Sequence, residues 1–388
     1  MLGINSNINS LVAQQNLSGS QSALSQAITR LSSGKRINSA ADDAAGLAIS
    51  TRMQTQINGL NQGVSNSNDG VSIVQTASSA LASMTASLQR IRTLAVQAAS
   101  GSQSPTDQAA TQQEVAQQIA EVNRIASQTT YNGKNILDGS AGNLSFQVGA
   151  NVGQTINLDL SQNLGAATLG GGMVQKGNTL GTIQVAVDSS GAAWTASSAG
   201  TETTSINVLS DGKGGFTFTD QNNQALSSGA VTAIFGASTA GTGTATSASF
   251  QTLTVASAAT SALTAAQQTA SAAAATAINS VNQPQTVANL NISTTTGANQ
   301  AMVSIDNALA TINNVQASLG AAQNRFTAIS TSQQAESTDL ASAQSQITDA
   351  NFAQETANLS KAQVLQQAGI SVLAQANSLP QQVLKLLQ

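Results

Sequence analysis

The chain has 388 residues and a net charge of -4, with 40% hydrophobic, 2% aromatic and 8% charged residues, where an ordinary soluble domain is about 25% charged. It has no Cys and no His, which excludes thiolate nucleophiles, imidazole bases, Ser-His triads and the usual zinc ligand sets, and its acidic balance lacks the basic footprint that nucleic acid requires. What remains is aliphatic mass suited to thin seams between helices, under a surface so weakly charged that many copies can pack side by side.

Ile4, Ile8 and Leu11, then Leu17, Leu24, Ile28 and Leu31, recur at helical steps with one slip, and predict an N-terminal helix. Gly34 is placed to end it, with Lys35 and Arg36 near its negative pole. Ser39 followed by Asp42 reads as an N-cap, opening a short helix through Leu47, Ile49 and Met53. Asp42-Asp43 fits a solvated helix start better than a paired-carboxylate site. The cleanest heptad follows at Val74, Ala77, Leu81, Met84, Leu88, Ile91, Ala95 and Ala98, a seam whose Ala positions allow close approach. After the break at Gly101–Pro105, Ser104 as cap, Pro105 and Asp107 restart a helix with its seam at Val115, Ile119, Val122 and Ala126. The two predict an antiparallel helical hairpin.

The period then becomes two. Leu144, Phe146 and Val148 alternate, residues 149–153 turn, and Ile156, Leu158 and Leu160 alternate again, predicting a β-hairpin. Gly, Thr, Ser and Ala dominate from 175 to 290 around short strands at Ile183–Val187, Ile206–Val208, Phe216–Phe218 and Leu253–Val255. Ala256–Ile278 reads equally as helix or linker. Asp211–Gly215 has neither calcium-loop nor phosphate-loop spacing and reads as a turn. Helix returns near Asn299 and runs to the end, first along Met302, Ile305, Leu309, Ile312, Leu319 and Phe326, then along Phe352, Leu359, Ala362, Gln366, Gly369, Leu373, Ala376, Val383 and Leu387. The class is mainly α with a β-rich insert, its long terminal helices pairing with each other. No Sec signal peptide or membrane insertion is expected. Polar and small residues interrupt both terminal seams, so these helices are expected to order only on joining a polymer.

Three stretches carry a family likeness. Leu31-Ser32-Ser33-Gly34-Lys35-Arg36-Ile37-Asn38-Ser39-Ala40-Ala41-Asp42-Asp43-Ala44-Ala45-Gly46-Leu47-Ala48-Ile49 resembles the N-terminal signature of bacterial flagellin; Leu88–Gln97 and Leu319–Phe326 resemble two more stretches of it. The likeness covers about residues 1–170 and 295–388. It implies paired terminal helices (D0; 1–43 and 350–388), a helical layer with the hairpin (D1; 44–174 and 295–349) and a small variable outer α/β domain (D2; 175–294). It implies a secreted, self-assembling filament for motility, not an enzyme, without cofactor or metal. The implied polymer contacts are Ile4, Ile8, Leu11, Leu24, Ile28, Leu31, Leu359, Leu373, Val383 and Leu387. Export through the flagellar type III apparatus is implied too, with a chaperone, a cap protein and hook-associated junction proteins as partners. The family's patch for host Toll-like receptor 5 maps onto Arg90, Leu94, Gln97 and Glu114, while Thr93 departs from the acidic residue common there. Leu384, Leu386 and Leu387 resemble the apolar tail sensed by NAIP-type receptors. The alternative with the same terminal helices is a hook–filament junction protein. The zinc protease insert of some flagellins needs His-Glu-x-x-His, and this chain has no His.

Overall fold

The computed structural model describes residues 7–100, 102–195, 202–236 and 250–386, with side chains as far as 378. Its contacts divide the chain into two units. One comprises Met1–Asn68, Gln147–Thr155 and Ala328–Gln388, the other Asp69–Phe146 and Ile156–Thr327. Among the described residues no helix is long and apolar enough to cross a membrane.

In the first unit, helix α1 (Ile8–Ser33) begins at Asn7, whose side chain accepts from the Ser10 amide, and ends at Gly34 with φ 69°. Only a residue without Cβ adopts that left-handed stop cheaply. Helix α2 (Ala44–Ala99) runs 56 residues, which corrects the expectation of a short helix capped by Ser39. Residues 39–42 form a turn in which the Asp42 amide donates to the Ser39 carbonyl at 3.1 Å. The cap is Asp43, whose Oδ1 accepts from Gly46 N at 2.9 Å. The return crossover is shorter, residues 349–351 between α7 (Thr295–Thr348) and α8 (Phe352–Leu386), against residues 34–43 between α1 and α2. The two crossovers are tied: Arg36 N donates to Thr348 O at 2.6 Å, Ala350 N to Gly34 O at 2.9 Å, and the Arg36 guanidinium to Ile347 O at 2.6 Å. In the second unit, strands β1 (Thr130–Tyr131) and β2 (Lys134–Asn135) pair antiparallel, and β3 (Gly142–Gln147) and β4 (Thr155–Leu160) form the expected hairpin, whose turn alone belongs to the first unit. Its turn reaches the backbone of α2, where a Cβ at Gly59 would lie 2.9 Å from Ala150 Cβ.

In the second unit the α2 heptad is realised in full. Val74, Ala77, Leu81, Met84, Leu88, Ile91, Ala95 and Ala98 are all 0% exposed. Helix α3 (Pro105–Gln128) opens with the expected capping box, Ser104 and Asp107 bonding each other's backbone, and buries Val115, Val122, Ile125 and Ala126, while Ile119 stays half-buried. Phe326 of α7 is fully buried; its ring meets Phe146 edge-on at 5.3 Å and fills the slot over Gly70. The insert folds as an antiparallel sheet in the order β5 (Thr179–Val187), β6 (Thr203–Ser210) and β7 (Phe216–Asp220), packed with α4 (Ser228–Phe235), α5 (Ser257–Thr260) and α6 (Ala265–Val281). Most of Ala256–Ile278 is therefore helix, opened by a Thr264–Gln267 capping box. Leu253–Val255 is no strand. The Asn279 side chain takes both main-chain groups of Leu253, at 2.6 and 2.9 Å, so no partner strand is required.

An added Cβ at Gly70 meets the Phe326 ring at 2.7 Å, whereas Gly320, also helical, has nothing within 4 Å. Urea unfolding is expected to show Gly70→Ala costing about 1–3 kcal/mol, and Gly320→Ala gaining about 0.5–1 kcal/mol. Asp42 accepts from Asn38 N at 3.1 Å, Ser39 N at 3.0 Å and the Ser39 hydroxyl at 3.1 Å, and these donors, Asn38 first, hold its carboxyl below the usual range. A depressed folded value means the turn's stabilisation is present above the unfolded value and disappears as pH falls through the folded one. Amide protection at Asn38 and Ser39 should therefore be lost as pH falls below the ordinary carboxylate range, and Asp42→Asn should lack that dependence.

Candidate functional site

Helices α1 and α8 pack against each other antiparallel. Asn7 Nδ2 donates to Ala376 O at 2.8 Å, Leu17 lies over Gly369, and Arg30 pairs with Glu355 at 3.6 Å. On α1 the facing positions are Ser10, Ala13, Leu17, Ser20, Leu24, Ala27 and Leu31, all buried or half-buried and alternating by three and four. On α8 they are Glu355, Leu359, Ala362, Gln366, Gly369, Leu373 and Ala376. Among the described residues, the hydrophobic ones buried outright on these two helices are alanines: Ala13, Ala27, Ala362 and Ala376. Gly369 leaves the hollow that Leu17 fills, since a Cβ there would meet Leu17 Cδ1 at 3.3 Å.

The bulky side chains point elsewhere. Ile8 is 64% exposed, Leu11 61%, Val12 51% and Ile28 51%. Phe352, Val364, Leu365, Ile370 and Val372 of α8 are likewise exposed. They stand on the outward faces of the two helices among polar and small residues. Ile8, Leu11, Ile28 and Phe352 thus lie outside the contact between the two helices. The physical reason is size: close approach of two helices takes Ala, Ser and Gly at the contact and leaves large residues outside. Leu24, Leu31, Leu359 and Leu373 do occupy the seam. Ile4 and Leu387 lie outside the described residues, and Val383, Leu384 and Leu386 are placed on the α8 backbone.

The residues grouped as a receptor patch fall on α2 and α3. Arg90 and Glu114 form an ion pair at 2.6 Å, both substantially exposed, and Gln97 is exposed. Leu94 is only 2% exposed. It packs inward beside Ala95 and cannot itself present a contact surface in this state. Arg92, two residues from Arg90, pairs with Asp306 of α7 at 2.7 Å, and this bond holds its proton more firmly than usual. That tie links α2 to α7 and was invisible in the sequence, where the partners lie 214 residues apart. Among the described residues no group of three or more acidic side chains stands ready to hold a metal ion.

Comparison with known proteins places this geometry. The bacterial flagellin N-terminal helical region matches residues 4–142, the flagellin D2 domain 172–283, and the bacterial flagellin C-terminal helical region 302–387. The B-type flagellin of Pseudomonas aeruginosa is 37% identical, with all of both chains covered. The polar flagellin F of Vibrio parahaemolyticus is 36% identical over 99% of each. Among solved structures, FliC from Burkholderia pseudomallei is 74% identical over 66% of this chain and all of that one, with a TM-score of 0.63. Helical ends that pair with each other, a β-bearing insert between them and full-length identity to these relatives together show that the chain belongs to the bacterial flagellins, structural proteins that polymerise into the extracellular filament of the flagellum.

Proposed function

We propose that the chain polymerises through the exposed faces of the α1–α8 pair, with residues 1–43 and 350–388 as the inner layer, 44–174 and 295–349 around it, and 175–294 outermost. The observation that carries this reading is the inverted pair, with alanines inside and Ile8, Leu11, Val12, Ile28, Val364, Leu365, Ile370 and Val372 outside. Fully burying one such side chain is worth about 1.5–3 kcal/mol, so a neighbour covering several of them per copy supplies what the thin seam lacks. Contacts of this kind join unlike surfaces and do not close, which generates a filament. Its work is mechanical: repeated weak contacts sum to a stiff tube that turns motor torque into thrust. Ile4, Val383 and Leu387 extend the same contact set.

Export as an unfolded chain through the flagellar type III apparatus, an escorting chaperone, and assembly between a cap and hook-associated junction proteins complete the reading. It is supported by family membership and by a chain free of cysteines that would misform on the way. For host sensing, Arg90, Gln97 and Glu114 form the exposed patch for Toll-like receptor 5, with Leu94 holding α2 in place beneath them. Leu384, Leu386 and Leu387 supply the apolar tail for NAIP-type receptors.

Two experiments test these assignments. Electron microscopy of seeded full-length protein should show long tubes, and none for Ile8→Ser/Leu11→Ser/Val12→Ser, although the melting temperature of the second unit stays unchanged in the free chain. Short oligomers from the unaltered chain would point instead to a junction protein. In receptor-reporter cells, Arg90→Ala and Gln97→Ala should each lower signalling roughly tenfold with little change in stability. Leu94→Ala should instead cost about 2–5 kcal/mol of folding stability.

A further inference from the structure

The α1–α8 seam carries few marks of register. A shift of seven residues along α1 puts Ser20 in the place of Ala13, Leu24 in that of Leu17, Ala27 in that of Ser20 and Leu31 in that of Leu24. On α8 the same shift puts Gly369 in the place of Ala362 and Ala376 in that of Gly369. Small again meets small and large meets large, so packing alone separates the native pairing poorly from a displaced one. Within one chain the crossover bonds at Arg36 and Ala350 hold the register. They do nothing to exclude the α8 of a second copy lying at another height.

Charge is the exception to this repetition. Arg30 is the only charged residue of α1, and Glu355 is the only acid of α8. They pair at 3.6 Å with side chains only 24% and 10% exposed. Each stands at the helix pole that suits it, the cation in the last turn of α1 and the anion in the first turn of α8. The second carboxylate oxygen of Glu355 accepts from Asn358 Nδ2 at 3.2 Å, and Arg30 Nε is buried without a hydrogen-bond partner. The guanidinium therefore depends on Glu355 for compensation. In a pairing displaced by one heptad it would stand at the level of Ala362, covered and without a counter-charge, a state far costlier than the intact pair.

We propose that the Arg30–Glu355 pair decides which α8 each α1 accepts in the filament: its own, at the native register, because a displaced partner leaves Arg30 buried and uncompensated. The crossovers bring the chain's own Glu355 to the one level where Arg30 is matched. This selection rests on the assembly reading above, which crowds identical helices together.

The test uses the full chain carrying Leu17→Cys and Gly369→Cys. A Cβ on residue 369 stands 3.8 Å from Leu17 Cβ, within disulfide reach, and the chain has no other thiol. Filaments grown on seeds are oxidised and the links are read on a non-reducing gel. With Arg30 and Glu355 intact the disulfides should be internal to each chain. Arg30→Met/Glu355→Leu removes both charges, so tubes should still grow, at a critical concentration within about threefold of the unaltered one, but links between copies should appear. Glu355→Gln alone should raise the critical concentration roughly tenfold or more, while melting of the second unit in the free chain stays unchanged. Internal links alone in the double variant, its failure to assemble, or an unaltered critical concentration for Glu355→Gln would overturn the proposal and leave the assembly reading intact. Failure of the unaltered chain to form tubes would overturn both.

Discussion

Everything distinctive about the chain ends depends on how closely α1 and α8 approach. A close approach needs small residues at the contact, and the sequence supplies Ala13, Ser20 and Ala27 on one helix against Ala362, Gly369 and Ala376 on the other. Such a contact buries little apolar area, and ordering each backbone residue costs about 1–2 kcal/mol. Leu17, Leu24, Leu31, Leu359 and Leu373 are only half-buried in the seam, while Ile8, Leu11, Val12, Ile28, Val364, Leu365, Ile370 and Val372 are turned outward. A pair built this way is weak, and gains its stability from whatever covers its outer faces.

The second unit shows the contrast within one chain. There the α2 heptad is closed to solvent along its whole length, with Leu, Met and Ile between the alanines, and Phe326 plugs the one wide slot above Gly70. Surface ion pairs such as Arg90–Glu114 and Arg92–Asp306 add register more than energy, since exposed pairs are worth about 0–1 kcal/mol. Self-sufficiency and dependence on neighbours thus follow from where the same few residue types fall on the helical wheel.

The insert obeys a third logic. Its core joins sheet residues such as Ile183, Val208 and Phe218 to Phe235 and Ile278 of the flanking helices, with Phe218 and Phe235 stacked at 4.4 Å. Side-chain amides substitute for missing backbone partners, as Asn279 does for Leu253 and Asn282 does toward Gly214. Short strands and polar loops suffice there because the insert has a compact core of its own.

Much of this was legible in the sequence, for local reasons. Caps and stops depend on residues within four positions of one another, so Gly34 and the Ser104–Asp107 box could be read directly, as could the heptad from Val74 to Ala98 and the alternation of the hairpin. The helix start expected at Ser39 fails because Asp42 accepts from the Asn38 and Ser39 amides and closes a turn instead, which leaves Asp43 to cap α2. Which face of α1 meets α8 was equally beyond periodicity, because alanine and serine mark a seam weakly while Ile8, Leu11 and Ile28 mark one strongly and lie outside it. The inward turn of Leu94, the Arg92–Asp306 tie and the Arg30–Glu355 pair join residues far apart in the chain. By itself the sequence determined the elements and the family, because these rest on neighbouring residues. Only the tertiary structure decided which side chains are hidden and which await a partner, because burial is a property of what each helix packs against.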